Sequence, residues 1–219
     1  NFIKGIDYVV KKHGKIIVLE DDNLTSPFFL NYMNEALNLY SKNSKVASIS
    51  AYSYPIDSKK KNYYFLRLAD SWGWATWKRS WNLYEKNGNK LMKEIEKKNQ
   101  SKEFNFENSY DFMRILRNYC LKLNNSWSIR WYASMYLKNK LTLFPPKSFI
   151  ENIGMDSSGV HADNTKDYRS KLIKKYIKPQ KILVKESKYH FQKMKIFFNK
   201  IDKKNNYFFR IKKKIRFIK

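Results

Sequence analysis

Lys15-Ile16-Ile17-Val18-Leu19-Glu20-Asp21-Asp22 is the stretch on which the fold turns. Ile16 to Leu19 form a continuous apolar run of strand length, preceded by Gly14 and closed by three acids, and such a run reads as a buried strand. Upstream, Ile3, Ile6, Val9 and Val10 share one face at helical spacing, and Lys11-Lys12-His13-Gly14 supplies a C-terminal stop. Downstream, Ser26-Pro27 has the pattern of an N-cap with proline at the first helical position, opening a helix through Phe28, Leu30, Met33, Leu37 and Tyr40. Val46-Ala47-Ser48-Ile49-Ser50-Ala51 is the next strand candidate. The order helix, strand, helix, strand predicts an α/β layered domain with a largely parallel sheet.

Farther along, Tyr63 to Leu66 reads as a strand, and roughly Asn82 to Lys98 and Tyr110 to Leu121 as helices. There is no internal repeat. From about Lys166 basic residues dominate, and the acids shrink to Asp167, Glu186 and Asp202. The expected organisation is a domain over residues 1–165 and a basic helical or tail extension over 166–219. The chain starts without methionine and close to a core strand, which suggests a missing N-terminal portion.

Apolar residues make up 42% of the 219 residues and aromatics 17%, enough for a real core despite a formal net charge of +26. That charge is attracted to phosphates, whether of nucleic acid, anionic lipid or a nucleotide-linked substrate. Cys120 is the single cysteine, so an intrachain disulfide is excluded and a reducing, cytoplasmic setting is expected. No stretch reaches the roughly 18 to 20 apolar residues of a membrane span.

Three segments carry the candidate chemistry. Glu20-Asp21-Asp22 places three carboxylates at the end of a strand, where ligands bind in open α/β sheets. Clustered carboxylates repel unless a cation neutralises them, and Mg²⁺ or Mn²⁺, which accepts one or two carboxylates beside water and phosphate oxygens, is the natural partner. The plain alternative is an acidic loop capping the next helix.

Trp72-Gly73-Trp74 opens a run that holds four of the six tryptophans within ten residues. It reads either as aromatic platforms for sugar rings or as the inner face of a helix. Asn152-Ile153-Gly154-Met155-Asp156-Ser157-Ser158-Gly159-Val160-His161 is a polar loop able to fold over a phosphate or to offer Asp156 and His161 to a site, or else an ordinary surface turn. His13 and His190, in basic surroundings, read as surface residues.

Taken in order, Val18-Leu19-Glu20-Asp21-Asp22 with Ser26-Pro27-Phe28-Phe29, Asp70-Ser71-Trp72-Gly73-Trp74-Ala75-Thr76-Trp77, Ser126-Trp127-Ser128-Ile129-Arg130-Trp131-Tyr132, and the segment Asn152 to His161 resemble bacterial sugar transferases of the A-type (GT-A) glycosyltransferase fold, similar to the N-acetylglucosaminyltransferase I family. The resemblance implies a Rossmann-like nucleotide-diphospho-sugar transferase fold, with a mostly parallel mixed sheet flanked by helices. It implies that Glu20, Asp21 and Asp22 contact a nucleotide sugar, UDP-linked by preference, and that Asp22 is the main ligand of Mn²⁺ or Mg²⁺. Trp72, Gly73, Trp74, Arg130 and Trp131 would line the sugar pocket, with His161 closing over the diphosphate.

The implied reaction is an inverting displacement with a carboxylate general base. The related eukaryotic enzymes carry that base in a Trp-Asp-Asp segment. The matching stretch here, Asn124 to Arg130, has no carboxylate, which leaves Asp156, then Asp70, then Asp111 as substitutes. The acceptor would be a cell-surface glycan or a lipid-linked chain in polysaccharide biosynthesis. Residues 200–219, rich in Lys, Phe and Ile, would touch an anionic membrane at its cytoplasmic face. Two other classes stay open: a basic nucleic-acid-binding protein or metal-dependent nuclease, although no specific nucleic-acid signature is present, and a truncated transferase remnant without activity.

Overall fold

The computed structural model describes residues 2–154 and 166–216, with side chains as far as Lys203. Asp156, His161 and the side chains of the apolar-basic end lie outside the described residues.

Helix α1 (Phe2–His13) buries Ile6 and Val10 and ends at Gly14, whose φ of +75° reverses the chain at little steric cost. Strand β1 (Lys15–Val18) follows, then the short β2 (Asn23–Thr25). Helix α2 (Phe29–Leu39) begins two residues later than Ser26-Pro27 predicts, because the Ser26 hydroxyl accepts the Phe28 N–H at 3.3 Å and turns the chain before the helix opens. Strands β3 (Val46–Ser50), β4 (Tyr64–Leu66) and β5 (Trp74–Trp77) precede the helices α3 (Lys78–Trp81), α4 (Gly88–Lys97), α5 (Ser101–Phe104), α6 (Phe112–Cys120) and α7 (Trp127–Leu137). Strands β6 (Leu141–Phe144) and β7 (Ile150–Asn152) and the long α8 (Lys188–Arg216) complete the chain.

The main sheet has the order β1-β5-β3-β6-β4. The protein is α/β, but the sheet is mixed rather than mostly parallel: only β3 and β6 pair in parallel, and the other three neighbours are antiparallel. The cause is β5. Trp74-Ala75-Thr76-Trp77, legible in sequence as an aromatic platform or a helix face, is a strand inserted between β1 and β3 and running against both. Its bulky and β-branched residues suit a strand buried on both faces, and all four are buried. Strand β1 lies at the sheet edge and is only half-buried, contrary to the buried strand its apolar run predicts.

Three apolar clusters hold the layers together. Met33, Leu37, Ile49, Phe149 and Ile150 join α2 to one face of the sheet. Leu66, Leu116, Tyr132, Phe144 and Met194 join the helices α6, α7 and α8 to β4 and β6. Ile6, Val18, Trp74, Trp81 and Trp131 fill the space under α1.

Residues 166–201 pack within this architecture. Leu172 bridges to Ser148, Glu186 bridges to Phe65, and Phe197, Phe198 and Ile201 are buried in the second cluster. His190 is not a surface residue: its ring stacks on Tyr64 at 3.7 Å and its Nδ1 lies 2.8 Å from the Ser187 hydroxyl. Burial and then Lys60 push its pKa down to about 4. Among the described residues no helix is long and apolar enough to cross a membrane.

Candidate active site

Val18 at the end of β1 and Ser50 at the end of β3 both pair with Trp74 at the start of β5. The carboxyl ends of β1 and β3 therefore flank one position, and the acidic segment leaves the sheet there. Strand β2 begins at Asn23 and pairs with β7, setting Asn23 opposite Asn152. This two-stranded ladder brings the acidic motif and the glycine-containing loop motif together across 130 residues of sequence.

Asp22 is held from several sides. Its Oδ1 accepts from Asn23 Nδ2 at 2.8 Å and its Oδ2 from Asn152 Nδ2 at 2.9 Å. Asn152 presents its amide in that sense because its Oδ1 accepts the Gly154 N–H at 3.0 Å. The Ile153 N–H donates to the Asp22 carbonyl at 2.9 Å. Gly154 lies against the carboxylate so closely that a Cβ there would stand 2.7 Å from Asp22 Oδ2.

Asp70 is buried and accepts the Ser50 hydroxyl at 2.7 Å. Burial pushes its pKa up to about 7, against the opposing hydrogen bonds from Ser50 and from the N–H groups of Ser71 and Trp72. Glu20 is raised to about 7 as well, by burial first and then by repulsion from Asp22, Asp70 and Asp21. Three sequence-predicted acids and the Asp70 carboxylate thus share one electrostatic environment. Asp111 does not belong to it, since its side chain caps α6 by accepting the Arg114 N–H at 3.0 Å.

Beside Asp70 lies a cavity of about 380 Å³, walled by Tyr54, Ser71, Trp72, Ser126, Ser128, Tyr132 and Tyr168 among others. Trp72 is half-buried, its ring edge-on to Tyr52 at 4.9 Å and to Tyr168 at 5.7 Å. Gly73, at φ +55°, makes the turn into β5, and a Cβ on it would meet Ile150 at 3.0 Å.

The other proposed sugar contacts are placed differently. Trp74 and Trp131 are fully buried in the third cluster, with ring centres 5.4 Å apart, so they build the floor and offer no surface to a ligand. Arg130 is buried too, bonded to the Ser126 and Lys86 carbonyls and packed over the Tyr119 ring at 4.2 Å. Alternating tryptophans cannot by themselves reveal which face of a strand meets solvent.

Among the described residues no group of three or more His, Cys, Asp or Glu side chains is gathered closely enough to hold a metal by itself. The donor set nonetheless fits Mg²⁺ or Mn²⁺, which need only one or two carboxylates when water and phosphate oxygens complete the shell. Asp22 is such a carboxylate, oriented by two amides. Asn23 Oδ1 beside it is a buried oxygen with no hydrogen-bond partner.

Sequence reasoning assigned no role to Ser50, Tyr54 or Tyr168. Asn152 was legible only as part of a loop motif. No protein-family model matches this chain, and no curated protein matches it either.

Proposed function

We propose that this protein is a metal-dependent glycosyltransferase of the GT-A type, moving a sugar from a nucleotide-diphosphate donor, UDP-linked by preference, to a hydroxyl of a glycan or lipid-linked acceptor with inversion. The observation that carries the reading is the convergence of Glu20, Asp22 and Asp70 at the carboxyl ends of β1 and β3, beside a cavity edged by Trp72. Asp70, Ser71, Trp72, Ser126 and Ser128 line that cavity, Glu20 feels the charges of Asp22 and Asp70, and Asn152 is bonded to Asp22.

Asp22 would hold Mn²⁺ or Mg²⁺ together with the donor's phosphates. The ion would offset the negative charge that builds on the departing nucleoside diphosphate. Trp72 offers a partly exposed aromatic face to a sugar ring. Asp70 is the general base: as the acceptor hydroxyl attacks the anomeric carbon, its proton passes to the Asp70 carboxylate. A base poised near neutrality balances availability of the ionised form against proton affinity. Ser50 and the two backbone N–H groups hold the carboxylate in place while it is charged. A cytoplasmic location suits a nucleotide-sugar donor and a chain with one cysteine.

Calorimetry with UDP, with and without Mn²⁺, tests the reading on wild type and Asp22→Ala. Mn²⁺-dependent UDP binding that disappears in the variant is expected. Absence of UDP binding in the wild type, or binding indifferent to Asp22, would overturn it.

A further inference from the structure

A second groove, about 970 Å³ in volume, runs beside the cavity at Asp70, between residues 169–180 and the turns at Pro55 and Pro146 to Ser148. Its wall is pinned through the backbone. The Ile173 N–H donates to the Ser148 carbonyl at 2.8 Å, Tyr63 donates to the Ile177 carbonyl, and Tyr40 donates to the Gln180 carbonyl at 3.2 Å. Ile173 is buried beneath. Because the main chain and the apolar residues face inward, Lys171, Lys174, Lys175 and Lys178 are left exposed, with Lys147 across the groove.

Among the described residues none of these five lysines forms an ion pair, whereas Arg169 beside them is bonded to Glu151 at 2.8 Å. Five like charges along one groove repel each other, and an anion lying between them relieves that repulsion. Tyr54 lines both this groove and the cavity that holds Asp70, so the two spaces are neighbours on either side of one residue.

We infer that this groove is the acceptor channel of the enzyme, and that its acceptor is an anionic glycan carrying repeated carboxylate or phosphate groups, which the lysines hold while one hydroxyl reaches Asp70. The inference rests on the transferase reading and names the substrate class of that site. Nucleic acid is a poorer occupant, because single strands are held by stacking bases on open aromatic faces. The groove's own rings are engaged elsewhere: Tyr176 packs on Phe28 and Phe149, and Tyr54 on Tyr52, Phe197 and Phe198. A bilayer surface is poorer as well, since these lysines line a concavity and not a projecting face.

The test uses the whole chain and fluorescence-anisotropy titrations across a salt series. Polygalacturonate and inorganic polyphosphate are the anionic probes and dextran the neutral one, with single-stranded DNA and phosphatidylglycerol vesicles as competitors. The wild type should bind both anionic probes and not dextran. In K171Q/K174Q/K175Q/K178Q the affinity should fall at least about tenfold, and the slope of log affinity against log salt should drop by roughly 3, since each lost phosphate contact removes about 0.7 to 0.9.

UDP with Mn²⁺ is titrated on the same samples. Anion binding that follows the lysines in a chain that does not bind UDP would leave the groove standing and remove the transferase reading. UDP binding with anion affinity indifferent to the four lysines would overturn the channel alone. Preference for DNA or vesicles over both anionic polymers would overturn it also.

Discussion

Asn152 Nδ2 donates to Asp22 Oδ2 at 2.9 Å, tying the acidic segment after β1 to the last residue of β7. The bond fixes which way one carboxylate oxygen points. Residues that orient a metal ligand matter nearly as much as the ligand. Asn152→Ala is therefore expected to weaken Mn²⁺-dependent UDP binding by roughly 10- to 100-fold, with the Asn23 contact retained and the circular dichroism spectrum unchanged. Titration calorimetry reads the first effect, and equal affinity in wild type and variant would remove the orienting role.

Gly154→Ala tests the same carboxylate from its other side. The added methyl would lie 2.7 Å from Asp22 Oδ2, within contact distance, so the carboxylate or the Asn152–Gly154 turn must shift. Loss of metal-dependent nucleotide binding is expected. A melting temperature close to wild type would confirm that the change is local.

The Asp70 carboxyl has its pKa raised from 3.8 to about 7, so the folded protein retains a proton that the unfolded chain has released. Stability from this group is fully present below about pH 4 and is lost as pH rises toward 7, because the native state binds more protons across that window. Glu20 acts in the same direction. Urea denaturation of the wild type at pH 5 and pH 8 should show lower stability at pH 8, and Asp70→Asn should remove much of the difference. A stability that rises with pH, or a variant with an unchanged profile, would contradict the assignment.

Transfer activity should follow the opposite trend, rising with pH through an apparent pKa near 7 that belongs to the interacting carboxylates together. Asp70→Asn should lower kcat by about 10² to 10⁴ while leaving UDP affinity in place. A variant with normal kcat would transfer the role of base to another residue.

Trp131 is a core residue, so its truncation should be read in stability rather than in substrate affinity. Trp131→Ala is expected to cost roughly 3 to 5 kcal/mol in denaturant titrations. Trp131→Phe should cost far less, because the indole Nε1 is buried without a hydrogen-bond partner and its removal forfeits no bond. A comparable cost for both would point to an unseen partner for that nitrogen.

How much of this was legible in advance differs by element. The α1 stop at Gly14 and the strands β3 and β4 follow from local composition, because a φ of +75° favours glycine and short apolar runs bury well. The strand β5 was not legible, since tryptophans separated by three or four residues satisfy a helix face as well as they satisfy an aromatic strand. The resemblance made Trp74 and Trp131 sugar contacts, whereas the pairing of Trp74 with β1 and β3 and the packing of both rings against Trp81 set them in the core.

By itself the sequence determined an α/β chain with an acidic cluster after its first strand, an excess of positive charge concentrated after residue 166, and one cysteine. These are properties of composition and of local periodicity, which are written along the chain. Only the tertiary structure decided that the sheet is mixed, that Asn152 and Gly154 flank Asp22, that Asp70 sits beside Ser50 in the lining of a cavity, and that five lysines line a neighbouring groove. Each of these depends on strand order and long-range pairing, where the partner of a residue is set by how whole layers pack and not by its neighbours in sequence.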